Sequence, residues 1–202
     1  MKRLFRLSTN AKASMWATLA SMTIAVPSAS APAESPVSVE SPIVVFETTR
    51  GDLVVALFPL EAPQTVENIL ELIDSGFYDG LIFHRVIAGF VVQTGGHLPD
   101  MQYRDAPRTV VNESRNGLRN RKYTLSMART SDPDSAGAQF YINLNDNTHL
   151  DYRPGQPGYT VFGEIVEGAD VAEEIGMVET TTRNGMPDVP AEPIVIRRAY
   201  RR

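Results

Sequence analysis

Cysteine is absent from all 202 residues, which excludes disulfides and thiol catalysis and leaves no site for lipoprotein anchoring. Histidine is scarce: His84, His97 and His149 lack ligand-like spacing, and no carboxylate cluster accompanies them, so no metal centre is expected. Ser126 and Ser135 lie near no nucleophile elbow, which argues against hydrolase chemistry. Asp132-Pro133-Asp134 lacks the alternating oxygen ligands of a calcium loop and reads as a turn. Nor is there an excess of cations. Lys and Arg number 19 against 24 Asp and Glu, the formal charge is -5, and the basic residues are scattered, so nucleic acid is not an expected partner. The run from Arg115 to Lys122 reads as a solvated loop. With 43% hydrophobic and 21% charged residues, the composition is that of one globular domain able to bury a core.

Long apolar runs are also missing. The one candidate, Ala13 to Val26, is shorter than the roughly 20 residues a spanning helix needs. It follows Lys2, Arg3, Arg6 and Lys12 and precedes the small-residue segment Pro27 to Ala33, an order that predicts a secretory signal peptide over residues 1–33. Cleavage is expected after Ala33 rather than Ala31, which would leave Pro32 next to the scissile bond; an uncleaved anchor is the alternative. Removal of four basic and no acidic side chains takes the charge from -5 to -9. The expected product is a periplasmic monomer without stable membrane insertion. Residues 34–42, rich in Pro, Ser, Val and Glu, predict an extended linker, and the domain spans 43–202.

Within the domain, Ile43 to Thr49 and Asp52 to Phe58 are β-branched and aromatic runs separated by Arg50-Gly51, which predicts a hairpin. The period then changes. Val66, Ile69, Leu70 and Ile73 fall at i, i+3, i+4 and i+7 and predict a helix from Pro63 to about Gly76, with Glu67, Glu71 and Asp74 in water. Further strands are expected at 82–87, 90–94, 123–128, 139–144, 161–166 and 194–199, with a short helix at 169–175. Many short strands and two helices point to an antiparallel barrel or sandwich plugged at its ends, and a barrel is preferred.

Strand alternation puts Phe83, Arg85 and Ile87 on one side, Val91 with Gln93, and Gln139 with Tyr141. If these faces converge, an arginine and two amides stand beside Phe90, Val91 and Tyr141. That mixture suits an uncharged peptide better than an ion. Taken singly, the residues have plainer roles: Arg85 as a surface charge, Phe90, Tyr141 and Leu150 as core, and Gln93 and Gln139 as partners of buried backbone. His84 is expected to be structural and held by hydrogen bonds, and His97 to lie in a loop.

The segments FHRVIAGFVVQTGG (83–96) and LSMARTSDPDSAGAQFYI (125–142) resemble the cyclophilin-type peptidyl-prolyl isomerases, over essentially all of Ile43 to Tyr200. With NESRNGLRN at 112–120 and the leader, the resemblance is to the exported bacterial branch. It implies a mainly β fold, a closed eight-stranded antiparallel β-barrel capped by two α-helices, and no cofactor. It implies Arg85, Phe90 and Gln93 as catalytic residues, and Val91, Ala128, Arg129, Gln139, Tyr141, His149, Leu150 and Tyr159 as substrate-binding ones. The implied partners are proline-containing unfolded or exported polypeptides. Four positions depart from the pattern. Ala88 replaces a usual proline, Val91 a common methionine, His149 the tryptophan that donates to cyclosporin in many members, and Tyr159 a histidine of eukaryotic members. The main rival function is a module or holdase that binds proline-containing segments without turnover.

Overall fold

The computed structural model describes residues 41–202. The signal peptide expected at 1–33, and the linker expected at 34–42 except its last two residues, lie outside the described residues. Among the described residues the strands are β1 (Ile43–Thr48), β2 (Gly51–Leu57), β3 (Arg85–Ile87), β4 (Val91–Thr94), β5 (Thr124–Met127), β6 (Phe140–Asn143), β7 (Val161–Glu167), β8 (Thr180–Arg183), β9 (Met186–Pro190) and β10 (Ile196–Arg201). Helix α1 spans Pro63–Asp74, α2 spans Ala169–Gly176, and a 3-10 turn spans Thr148–Leu150. Among the described residues no helix is long and apolar enough to cross a membrane.

Eight strands form one sheet in the order β10-β1-β2-β7-β5-β6-β4-β3, every neighbouring pair antiparallel. Its two ends meet along a short seam, where Ile82 bridges Val195, the Phe83 amide donates to the Ile194 carbonyl at 2.9 Å, and the Ile196 amide donates to Leu81 at 2.8 Å. The seam explains two differences from the expected strands. Residues 81–83 use their backbone to close the barrel, so β3 begins only at Arg85, and β10 lies two residues later than 194–199. It also overturns one alternation argument: Phe83 is buried in the core whereas Arg85 faces the pocket described below, because the two residues do not share one regular strand.

The first hairpin turns on Thr49-Arg50 rather than Arg50-Gly51, since Gly51 already pairs with Thr48. Sequence alternation missed the separate β8–β9 hairpin altogether. β8 is nearly all exposed and has no apolar face to reveal it. Its turn is Asn184-Gly185, with φ of 49° and 79°, the left-handed pair that a two-residue hairpin needs.

Inside the sheet, Phe46, Tyr78, Phe140 and Phe162 meet at centroid separations of 5.4 to 6.0 Å. The buried Tyr78 hydroxyl is satisfied by donating to the Ala138 carbonyl at 2.9 Å. Helix α1 closes one opening with buried Val66, Ile69, Leu72 and Ile73, and half-buried Leu70 packs against the same core. Two polar anchors turn its face. Asn68 Nδ2 donates to the Gly137 carbonyl at 2.8 Å, and Glu113 accepts from the Gln64 and Thr65 amides at 3.1 and 2.9 Å and from Thr65 Oγ1 at 2.7 Å. Ala62, at the N-cap, has no side-chain acceptor, so a carboxylate from a distant loop satisfies the orphan amides of the first turn. Glu67, Glu71 and Asp74 face water, as the sequence pattern requires.

Candidate active site

Three adjacent strands set the site. Arg85 on β3 is opposite Gln93 on β4, and Gln93 is opposite Tyr141 on β6, so the pleat carries all three side chains to one face. Val91, two residues from Gln93, joins them. A hollow of about 210 Å³ results, floored by Phe90, Val91 and Tyr141, walled by Leu150 and Tyr159, and bordered by Arg85, Gln93, Ala128 and Arg129. Two expected residues do not line it. Gln139 lies in an adjoining groove of about 310 Å³ that shares Gln93, Ala128 and Arg129 with the hollow. His149 stacks on Phe90 at 5.5 Å and 22°, behind the ring rather than inside the pocket.

Arg85 is half-buried, and among the described residues it has no carboxylate partner. Its one hydrogen bond goes from Nη1 to Gln93 Oε1 at 3.3 Å, which leaves the rest of the guanidinium fork available to a ligand. Gln93 Nε2 donates in turn to Gln139 Oε1 at 2.9 Å, and Gln139 Nε2 donates to the Tyr103 hydroxyl at 3.4 Å. The backbone at 95–96 makes room for this row. A Cβ on Gly96 would stand 2.7 Å from Gln139 Cδ, and Gly95, at φ +90°, would place one 2.4 Å from the Ala138 carbonyl oxygen.

Arg129 is held differently. Its guanidinium lies 4.6 Å over the Tyr159 ring and donates to the carbonyls of Thr130, Pro157 and Gly158 at 2.9, 2.8 and 3.3 Å. It braces the wall that carries Tyr159, whose ring meets Tyr141 edge-on at 5.8 Å.

Beneath the floor is a buried amide network that sequence reasoning missed. Asn120 Oδ1 accepts from Tyr141 OH at 2.9 Å and from Ser126 Oγ at 2.8 Å, while its own Nδ2 donates to Asp151 at 3.0 Å. Asn147 Nδ2 donates to the Phe90 carbonyl at 3.0 Å and to Asn143 Oδ1 at 2.8 Å. These contacts fix the ring of Tyr141 and the backbone of Phe90. The one available signal was Asn143, an amide inside the apolar run FYINL, where a buried polar group needs partners.

The site offers no nucleophile and no proton donor poised near neutrality. Burial pushes the Tyr141 phenol well above its usual range, and among the described residues no group of three or more His, Cys, Asp or Glu is placed to hold a metal. His84 is buried and structural, hydrogen-bonded to the Ile82 backbone and the Gln139 side chain, but its Nδ1 has no partner, and burial first, then the neighbouring His97, push its pKa down to about 4. His97 lies in a loop, as expected, where its backbone makes an isolated bridge to Tyr103. What the hollow presents is an apolar floor, the neutral amide of Gln93 and the guanidinium of Arg85, which has no carboxylate partner among the described residues. An uncharged amide whose electron distribution changes is the kind of ligand it can act on.

Residues 43–201 match the family described as cyclophilin type peptidyl-prolyl cis-trans isomerase/CLD. This chain belongs to that family. Similar proteins include peptidyl-prolyl cis-trans isomerase cyp18 of Streptomyces antibioticus, 49% identical over 77% of this chain and 96% of the relative. Isomerase A of Dickeya dadantii is 47% identical over 77% of this chain and 82% of its own, and isomerase B of Escherichia coli is 46% identical over 76% and 96%. Among solved structures, a Cryptosporidium parvum cyclophilin-type isomerase, crystallised in the presence of the dipeptide Ala-Pro, superposes with a TM-score of 0.67 at 26% identity, covering 79% of this chain and 98% of that one. The mainly β architecture with two helices is therefore a cyclophilin fold. Against that pattern, Ala88 sits in the turn between β3 and β4 and does not line the hollow, whereas Val91 and Tyr159 do.

Proposed function

We propose that this cyclophilin accelerates rotation about X-Pro bonds in unfolded and exported polypeptides, with Arg85 as the catalytic cation. The observation that carries the reading is that Arg85, hydrogen-bonded only to a neutral amide, borders the same hollow as Phe90, Tyr141 and Leu150. An amide resists rotation because its nitrogen lone pair is delocalised into the carbonyl, a barrier of about 18–20 kcal/mol. At the twisted midpoint the lone pair returns to nitrogen. A guanidinium beside the proline ring can donate to that nitrogen only then, so it binds the transition state more strongly than either ground state. The apolar floor grips the ring while Gln93 and Gln139 hold the backbone on the carbonyl side, and one end turns against the other. Unaided X-Pro isomerisation takes tens to hundreds of seconds, so a few kcal/mol off the barrier matters to a folding chain.

Export rests on the basic-then-apolar leader at 1–33, which supports a periplasmic member of the exported bacterial branch. Mass spectrometry of the secreted protein tests this: a new N-terminus after Ala33 is expected, and the intact leader retained in membranes would contradict it. His149 in place of the family's tryptophan supports weak cyclosporin binding, and nanomolar inhibition would overturn that point. Catalysis is tested by magnetisation exchange of an X-Pro peptide with wild type and Arg85→Ala. Peptide binding without faster exchange would make the protein a binding module instead.

A further inference from the structure

We propose that Tyr103 and His97 are positioning residues for Arg85, holding the row of amides that orients its guanidinium, and that protonation of His97 releases this row in acid. The inference rests on the isomerase reading above. In the row, every hydrogen bond runs the same way: Arg85 donates to Gln93, Gln93 to Gln139, and Gln139 to the Tyr103 hydroxyl. That direction has a consequence for the amides. If either glutamine turned over, an NH2 would face another NH2 or the guanidinium, so Arg85, which can only donate, sets the direction of the row, and the Tyr103 hydroxyl anchors its far end by accepting from Gln139.

Tyr103 is itself held by His97. The two residues form a backbone bridge, and the rings meet edge-on at 5.3 Å. On its other side the His97 ring lies 4.4 Å from His84, and the Nδ1 atoms of both imidazoles are buried with no hydrogen-bond partner. The titratable or charged neighbours of this pair are Arg85 from β3 and Tyr103 from the loop after His97. No carboxylate forms an ion pair with either ring among the described residues. A proton on His97 therefore creates a half-buried cation whose Nδ1 has no partner and whose ring faces a second imidazole, His84, that itself lies beside the Arg85 guanidinium. The charged form disfavours the packed position of the ring, and Tyr103 loses the surface it packs on as the ring shifts toward water. Burial holds His97 below the ordinary imidazole range and His84 further down, near 4, so His97 is the first of the pair to charge as pH falls.

The test is the pH profile of kcat/KM for a blocked X-Pro peptide without ionisable groups, measured on wild type, Tyr103→Phe and His97→Phe. Tyr103→Phe keeps the ring and removes the acceptor, and kcat/KM at pH 7.5 should fall about two- to tenfold, the worth of one neutral hydrogen bond. Wild type should lose activity roughly fivefold or more between pH 7.5 and 5, with the Gln93 and Gln139 side-chain amide resonances moving together with His97 protonation. The His97→Phe profile should be flat over the same range. An undiminished Tyr103→Phe, a flat wild-type profile, or an acid fall that persists in His97→Phe would each overturn the inference. Wild type inactive at pH 7.5 would instead defeat the isomerase reading and take this inference with it.

Discussion

Acid should destabilise this protein through His84 before it protonates most carboxylates. The ring is 2% exposed, its Nδ1 has no partner, and its pKa is pushed from 6.5 down to about 4. A depressed histidine is neutral in the folded state while the unfolded chain takes up a proton near 6.5, so stability is fully present above that value. It is lost as pH falls toward 4. From 6.5 and about 4, the His84 contribution lost relative to pH 7.5 is about 1.4 kcal/mol at pH 5.5 and about 3 kcal/mol at pH 4. Urea unfolding of wild type and His84→Leu at pH 7.5, 5.5 and 4 isolates this from the carboxylates, which both proteins share. The variant begins less stable, because it loses the ring that packs on His97, but it should lose about 3 kcal/mol less than wild type on going to pH 4. Identical losses in the two proteins would refute the assignment of acid sensitivity to this ring.

Substitutions around the amide row and the loops make sharper distinctions. Gly95→Ala forces a Cβ onto the Ala138 carbonyl at a left-handed φ and should cost about 2 kcal/mol or more of stability in urea titrations. Gly96→Ala meets only the flexible Gln139 side chain, so stability should hold within about 1 kcal/mol while exchange catalysis drops several-fold. Asn147→Ala removes donors to Phe90 and Asn143 and leaves a buried oxygen unpaired, which should cost about 1–3 kcal/mol and raise KM more than it lowers kcat. Glu113→Ala uncaps α1 and should cost about 1–2 kcal/mol with activity unchanged in the surviving folded fraction.

Where backbone and side chains follow a simple period, the sequence was a sufficient guide. Helix α1 shows it, because one face is buried and the other is wet, whereas β1, β2, β4 and β6 were legible as β-branched and aromatic runs that are buried along most of their length. The seam at 81–83 and 194–196 was not legible, since its residues are apolar on every side and their pairing is set by closure of the barrel. β8 carried no apolar alternation, and only the Asn184-Gly185 turn marked its hairpin. Within the site, periodicity could place Arg85, Gln93 and Tyr141 on strands but not show that Gln139 reaches Gln93 across Gly96. That contact depends on register. Beneath the floor, Asn120 and Asn147 looked like loop polarity because nothing local distinguishes an asparagine that faces water from one bound within the protein, and Asn143 in its apolar strand was the one signal of the network.

The central claim concerns one guanidinium, and magnetisation exchange on a blocked X-Pro peptide measures its effect directly. Wild type should accelerate cis/trans exchange well above buffer. Arg85→Ala should lose about 10- to 100-fold of kcat/KM, the worth of a charge-assisted hydrogen bond formed at the transition state, while still binding the peptide. Exchange by Arg85→Ala at the wild-type rate, or by wild type at the rate of buffer alone, would contradict the account.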